Sequence, residues 1–212
     1  MNRRMAYRLL ACLLGLLVTA SARAEEAPDL LVQRVTEEVL AIIRGDRDIQ
    51  NGDSTKAVEL INAKILPHFN FPHMTALAVG RDWRRATPAQ QQRLSAEFQT
   101  LLVRTYANAL GGYRKQKILY RPLRVAPGAT DVLVETAIDQ PGSQRITVDY
   151  AMERVDGEWK VYDVSVAKIS LVTNYRSQFS SEVSSGGIDG LIASLATKNR
   201  SQRGSTIASK DR

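Results

Sequence analysis

The sequence predicts an α+β fold: a twisted antiparallel sheet of about four strands covered by helices, with extra helices at the N- and C-terminal ends. Three observations carry this. Apolar residues recur at helical spacing as far as residue 110, and at Lys117 the period switches from 3.6 to 2. The strands that follow are separated by turns short enough to force antiparallel neighbours.

The first helix is predicted over about Asp29 to Arg44, where Leu31, Val35, Val39 and Ile42 share a face. A second follows the capping pair Asp53-Ser54, carries Ala57, Ile61 and Ile65, and stops at Pro67. A short third helix lies between Pro72 and Gly80, since proline suits a first turn and glycine an end. The longest begins at Thr87-Pro88-Ala89-Gln90, at once a capping box and a proline start, and ends at Gly111-Gly112. Its apolar stripe is Leu94, Phe98, Leu101, Leu102, Tyr106, Ala109 and Leu110.

The first strand is predicted over Ile118 to Leu123, closed by Ala126-Pro127-Gly128. Val132, Val134, Thr136 and Ile138 line one face of the second strand, and Gln140-Pro141-Gly142-Ser143 turns the chain. Ile146, Val148, Tyr150 and Met152 line the third, and Asp156-Gly157 is a strong hairpin signal leading to the fourth. That strand carries Trp159, Val161, Tyr162, Val164 and Val166 and ends near Ile169. Ser170 then caps a helix whose buried stripe is Leu171, Tyr175, Phe179 and Val183. Two apolar layers therefore face each other, and they enclose either a filled core or a cavity, which periodicity does not distinguish.

Residues 1–24, MNRRMAYRLLACLLGLLVTASARA, have the layout of a cleaved secretory signal peptide: Arg3, Arg4 and Arg8, an apolar run from Leu9 to Ala20, then Ala22-Arg23-Ala24. The run of about twelve residues is short of the roughly 20 that span a bilayer. Cys12, the only cysteine, opens this run where a lipobox would close it, so lipidation is disfavoured and a disulfide in the mature chain is excluded. Residues 25–197 form a single domain large enough to bury its own core. Residues 198–212 read as a polar, disordered tail.

The formal charge of +7 invites a nucleic-acid reading. Yet four basic residues leave with the leader and five lie in the tail, so residues 25–197 hold 20 basic against 21 acidic side chains. A folded body without a basic face does not fit nucleic acid. The only histidines, His68 and His73, have no carboxylate or thiol nearby in sequence to complete a metal shell, so no metal is expected. No nucleophile elbow or phosphate loop is present, so no catalytic residues are assigned.

The segment WKVYDVSVAKISLVTNYRSQF, followed by GGIDGLIASL, resembles the C-terminal signature of the MlaC family, also called toluene-tolerance auxiliary proteins. The segment FNFPHMTALAVGRDWRRATPAQQQRLSAEFQTLLVRTYANAL is similar to the central region of that family, in the same order. The resemblance implies a periplasmic phospholipid carrier of Gram-negative bacteria, with a fold related to nuclear transport factor two. Its implied partners are phospholipid, the lipid-binding subunit of an inner-membrane ABC transporter and an outer-membrane lipoprotein–porin complex. The lipid is cargo, and no cofactor is implied. The sequence departs from the pattern at Lys168, where relatives commonly have glycine; lysine lacks glycine's permissive backbone, so the geometry of that corner is not carried over.

On this reading the candidate lipid-binding wall combines Val132, Val134, Ile146, Val148 and Tyr150 of the sheet with Leu101, Leu102 and Tyr106 of the long helix. Val164, Val166 and Leu171 extend it. Each of these residues equally fits an ordinary core. Arg81, Arg84 and Arg85 around Trp83, and Arg114, Lys115 and Lys117 beside Tyr113, are candidate docking cations. Two other functions compete: an enzyme using Asp149, Tyr150 and Asp163 in a cone-shaped cavity, and a lipoprotein chaperone or adaptor that holds no lipid.

Overall fold

The computed structural model describes residues 26–113, 116–140, 142 and 144–210, so the leader, Cys12, Arg114 and Lys115 lie outside the described residues. Helix α1 (Pro28–Gly45) starts on a proline and places an acid, Asp29, in its first turn, where the helix dipole favours negative charge. A short turn of helix, α2 (Arg47–Gln50), is capped by Asp46, and α3 (Ser54–Leu60) by Asp53, whose carboxylate accepts from the amides of Thr55 and Lys56. The chain continues through a π-turn (Ile61–Ile65) and a 3-10 turn (Leu66–His68) into α4 (Phe71–Val79), capped by the Asn70 side chain.

Helix α5 (Pro88–Leu110) follows the 3-10 turn Gly80–Arg85. The predicted capping box is present: the Gln90 amide donates to Thr87 Oγ1 at 3.3 Å, and the Thr87 amide donates to Gln90 Oε1 at 2.9 Å. Thr87→Ala removes the side-chain acceptor of the Gln90 amide, and is expected to lower stability by about 1 kcal/mol in urea denaturation. The helix buries two faces rather than one. Leu94, Phe98, Leu101 and Leu102 pack against α4 and the C-terminal helix, while Val103 and Ala107 pack against α1 and α3. Ala109, placed on the apolar stripe by spacing, is exposed.

The sheet is antiparallel with simple neighbour order, and it has five strands where four were expected. They are β1 (Lys117–Tyr120), β2 (Asp131–Asp139), β3 (Ile146–Val155), β4 (Glu158–Val166) and β5 (Ile169–Ser170). The fifth arises because Ala167 and Lys168 both take positive φ, 50° and 67°, forming a two-residue hairpin that pairs Ile169 back onto Val166. Lysine thus adopts backbone that glycine would hold more easily. Its ammonium donates to Asp149 Oδ2 at 2.8 Å, and that contact holds it above its ordinary range. Strand β1 is shorter than predicted. After Tyr120 one more ladder bond forms, from the Arg121 amide to the Glu135 carbonyl, and Pro122 then has no amide to offer.

A register shift between Ala151 and Met152 opposes Asp163 and Val161 across β4, leaving Tyr162 unpaired. This bulge lets Val161 and Val164, three apart, face the same interior. Ser170 Oγ accepts from the Thr173 amide at 2.9 Å and opens the 3-10 turn Thr173–Tyr175. The last helix, α6 (Arg176–Lys210), breaks at Gly187, whose φ of 66° and ψ of −170° are closed to other residues. It runs past residue 197, the end of the domain read from composition. Asn199 is buried, and its amide donates to the main chain and carboxylate of Glu97 on α5, contacts that a polar sequence does not advertise. Among the described residues no helix is long and apolar enough to cross a membrane.

Candidate functional site

The core divides into three clusters. One joins α4, α5 and α6; one joins the N-terminal half of α1 to the inner sheet face; one joins the C-terminal half of α1 to α2, α3 and the end of α5. Helix α1 belongs to the last two, and residues of both line one space between α1 and the sheet. A cavity of about 250 Å³ remains there.

Leu31, Val32, Val35, Thr36 and Val39 of α1, with Leu40 and Ile43, form its roof. Ile118, Thr136 and Ile138 of β1 and β2 form part of the floor, completed by Val148, Tyr150, Met152, Val161 and Val164 of β3 and β4. Ile65, His68 and Phe69 line one side, and Leu110 at the end of α5 and Tyr113 just beyond it line another. The strap carrying His68 and Phe69 is pinned to β4 by the Asn70 amide, which donates to the Val161 carbonyl at 2.8 Å, and by Lys160 Nζ, which donates to the Pro67 carbonyl at 2.9 Å.

Of the eleven wall residues expected from sequence, Val148, Tyr150 and Val164 line this cavity. The other eight do not. Val132 and Val134 pack under the first turns of α1, with Leu171 at the margin of the same cluster. Leu101 and Leu102 are buried in the all-helical cluster, and Tyr106 is at the surface. Ile146 and Val166 lie on the correct sheet face but near the strand ends, 45% and 37% exposed. The missing wall is α1. Its stripe was visible in the sequence, but nothing there said which element it would face; Leu40 is apolar but lies outside that stripe, and Thr36 carries no apolar signal.

The polar groups around the site are mostly committed. Burial, reinforced by the cations of Arg34 and Lys160, holds the His68 imidazole below its ordinary range, so the ring is neutral near pH 7. Arg34 makes a two-pronged pair with Glu26 at 2.7 and 2.8 Å. His73 is elsewhere: its Nδ1 meets Glu153 at 2.6 Å, and its ring stacks on Tyr162 at 4.5 Å. Burial, with the nearby Asp131 carboxylate adding, pushes the Tyr162 phenol up to about 12. Among the described residues no group of three histidine, cysteine or carboxylate side chains is placed to hold a metal.

The acid–tyrosine arrangement of an enzyme does not form. Asp149 faces away from Tyr150, across the sheet, and pairs with Lys168. Asp163 Oδ1 is occupied by the amides of Val164 and Val172. Among the proposed docking cations, Arg85 pairs with Asp82 at 2.9 Å, and Trp83 packs partly into the helical cluster.

The family model described as MlaC protein matches residues 33–197. The toluene tolerance protein ttg2D of Pseudomonas putida is 27% identical over 181 residues, covering 82% of this chain and 84% of its own. The intermembrane phospholipid transport system binding protein MlaC of Haemophilus influenzae is 24% identical over 186 residues, covering 86% and 87%. A solved structure of a phospholipid-binding protein from Ralstonia solanacearum, in complex with a phospholipid, superposes with a TM-score of 0.77 at 36% identity, covering 84% of this chain and 99% of that one.

Proposed function

The chain belongs to the MlaC family, and from that premise we propose that it is a periplasmic phospholipid carrier. On this reading, residues 1–24 direct export and are removed. The mature protein holds acyl chains in the cavity between α1 and the sheet. It passes lipid between an outer-membrane lipoprotein–porin complex and the lipid-binding subunit of an inner-membrane ABC transporter, and so maintains outer-membrane lipid asymmetry.

The observation that supports this is the cavity itself, an almost wholly aliphatic and aromatic space beneath α1. Removing roughly 30 methylenes from water is worth about 24 kcal/mol at about 0.8 kcal/mol each. Against a bilayer, already apolar, nearly all of that gain disappears. A pocket that matches the membrane interior therefore shields lipid in water and still releases it at either end. The carrier needs no nucleotide or metal for this, and any energy coupling belongs to the transporter. Val148, Tyr150 and Val164 face the chains from below, and Val35, Val39 and Leu40 from above.

Native mass spectrometry of protein prepared from the periplasm is expected to show a diacyl phospholipid bound to the mature chain. Protein that emerges empty, and stays empty when mixed with phospholipid vesicles, would favour the adaptor reading instead.

A further inference from the structure

The cavity wall is not uniformly apolar. Thr36 on α1, Tyr113 after α5, and Thr136 and Tyr150 on the sheet bring hydroxyls to it. Tyr120 on β1 stands directly opposite Thr136 in the β1–β2 register, which adds a third phenol beside the same wall. These hydroxyls are not scattered. That of Tyr150 interacts with those of Thr136 and Thr36, and Thr36 lies near Tyr120 as well.

Their hydrogen bonding is incomplete. Thr136 Oγ1 is spent on the Val148 carbonyl at 2.8 Å. Tyr120 Oη is buried, and its contact with Thr36 falls short of a well-formed hydrogen bond. A buried donor left without an acceptor destabilises the fold unless something else supplies one. Burial raises the ionisation of Tyr113, Tyr120 and Tyr150 above the ordinary phenol range, so all three are neutral donors at physiological pH.

We propose that the hydroxyls of Thr36, Tyr113, Tyr120 and Tyr150 form a polar subsite that receives the ester carbonyl oxygens of a diacyl lipid. The proposal rests on the carrier reading and deepens it by naming the part of the lipid that is recognised. The acceptor must be neutral, because among the described residues no lysine or arginine lines the cavity and a phosphate buried there would lack its counter-charge. Ester carbonyls are the neutral acceptors of a phospholipid, and they sit where the glycerol meets the chains. Held by this cluster, they leave the acyl chains to the apolar remainder of the wall.

The test compares one lipid chemistry with and without the carbonyls. Delipidated full-length mature protein is titrated with dipalmitoyl phosphatidylcholine and with its dihexadecyl diether counterpart, which keeps the headgroup and chain length but has no ester. Wild type is expected to bind the diester about tenfold more tightly. Tyr120→Phe, nearly isosteric, is expected to lower diester affinity to the diether level and leave diether affinity unchanged. Thr36→Val, on the opposite wall, is the independent second variant and should narrow the same preference. Equal wild-type affinity for the two lipids, or variants that weaken both alike, would overturn the subsite while leaving the carrier reading intact. Wild type that binds neither lipid would overturn both.

Discussion

Val148→Trp is expected to yield a folded protein that no longer carries phospholipid. Val148 lies mid-sheet, opposite Thr136 on β2 and Val166 on β4, with its side chain on the cavity floor. In a filled core the larger ring would force neighbours off their rotamers, typically at about 1–3 kcal/mol. Here it has about 250 Å³ of unfilled space above it. The indole is therefore expected to occupy the volume that acyl chains would use, with a stability loss below about 1 kcal/mol. Thermal denaturation followed by circular dichroism and native mass spectrometry read the two effects separately. Retained lipid would mean that the chains lie elsewhere, and a collapsed fold would mean that the space is already full. Leu102→Trp is the internal control: it was an equal candidate for the wall by spacing, but Leu102 is 7% exposed inside the helical cluster, so the same ring is expected to cost about 1–3 kcal/mol of stability and to leave phospholipid bound.

Phe98→Ala should have the largest effect on stability and a small one on the lipid site. Phe98 is fully buried, and its ring meets Tyr175 and Phe179 edge-on, each at 5.2 Å. Truncating a buried phenylalanine costs about 3–5 kcal/mol. The two aromatic pairs put this site at the upper end, since such pairs contribute about 0.5–1.5 kcal/mol beyond area. Against a total stability of about 5–15 kcal/mol for a domain, that is a large share. Urea denaturation should show a markedly lower midpoint. Because Phe98 belongs to the helical cluster and not to the cavity wall, the fraction that remains folded is expected to keep its lipid. A midpoint within error of wild type would mean that the α5–α6 contact is not a main support of the fold.

What this chain determines by itself is whatever depends on near neighbours along it. The Thr87–Gln90 box, the Asp53 cap, the change of period at Lys117 and the Asp156-Gly157 hairpin each act over a few residues, and each appears where it was read. So does the order of helices, antiparallel strands and a closing helix, since short turns leave few other ways to bury the apolar faces. The sheet's extra strand escaped because an alanine and a lysine at positive φ carry no turn signal. The pair is stabilised in part by Asp149, nineteen residues away on another strand.

The site was decided only by tertiary structure. An apolar side chain gives the same pattern whether it meets another side chain or a void, so Leu102 and Val148 looked alike until packing placed one against α6 and the other beneath α1. The face that α1 turns to the sheet, the bulge that brings Val161 and Val164 to one side, and the gathering of Thr36, Tyr120 and Tyr150 all join residues far apart in the chain. Local physics specifies the elements. The empty space between them is a property of how far apart they come to rest, and that distance is set by the whole assembly of contacts.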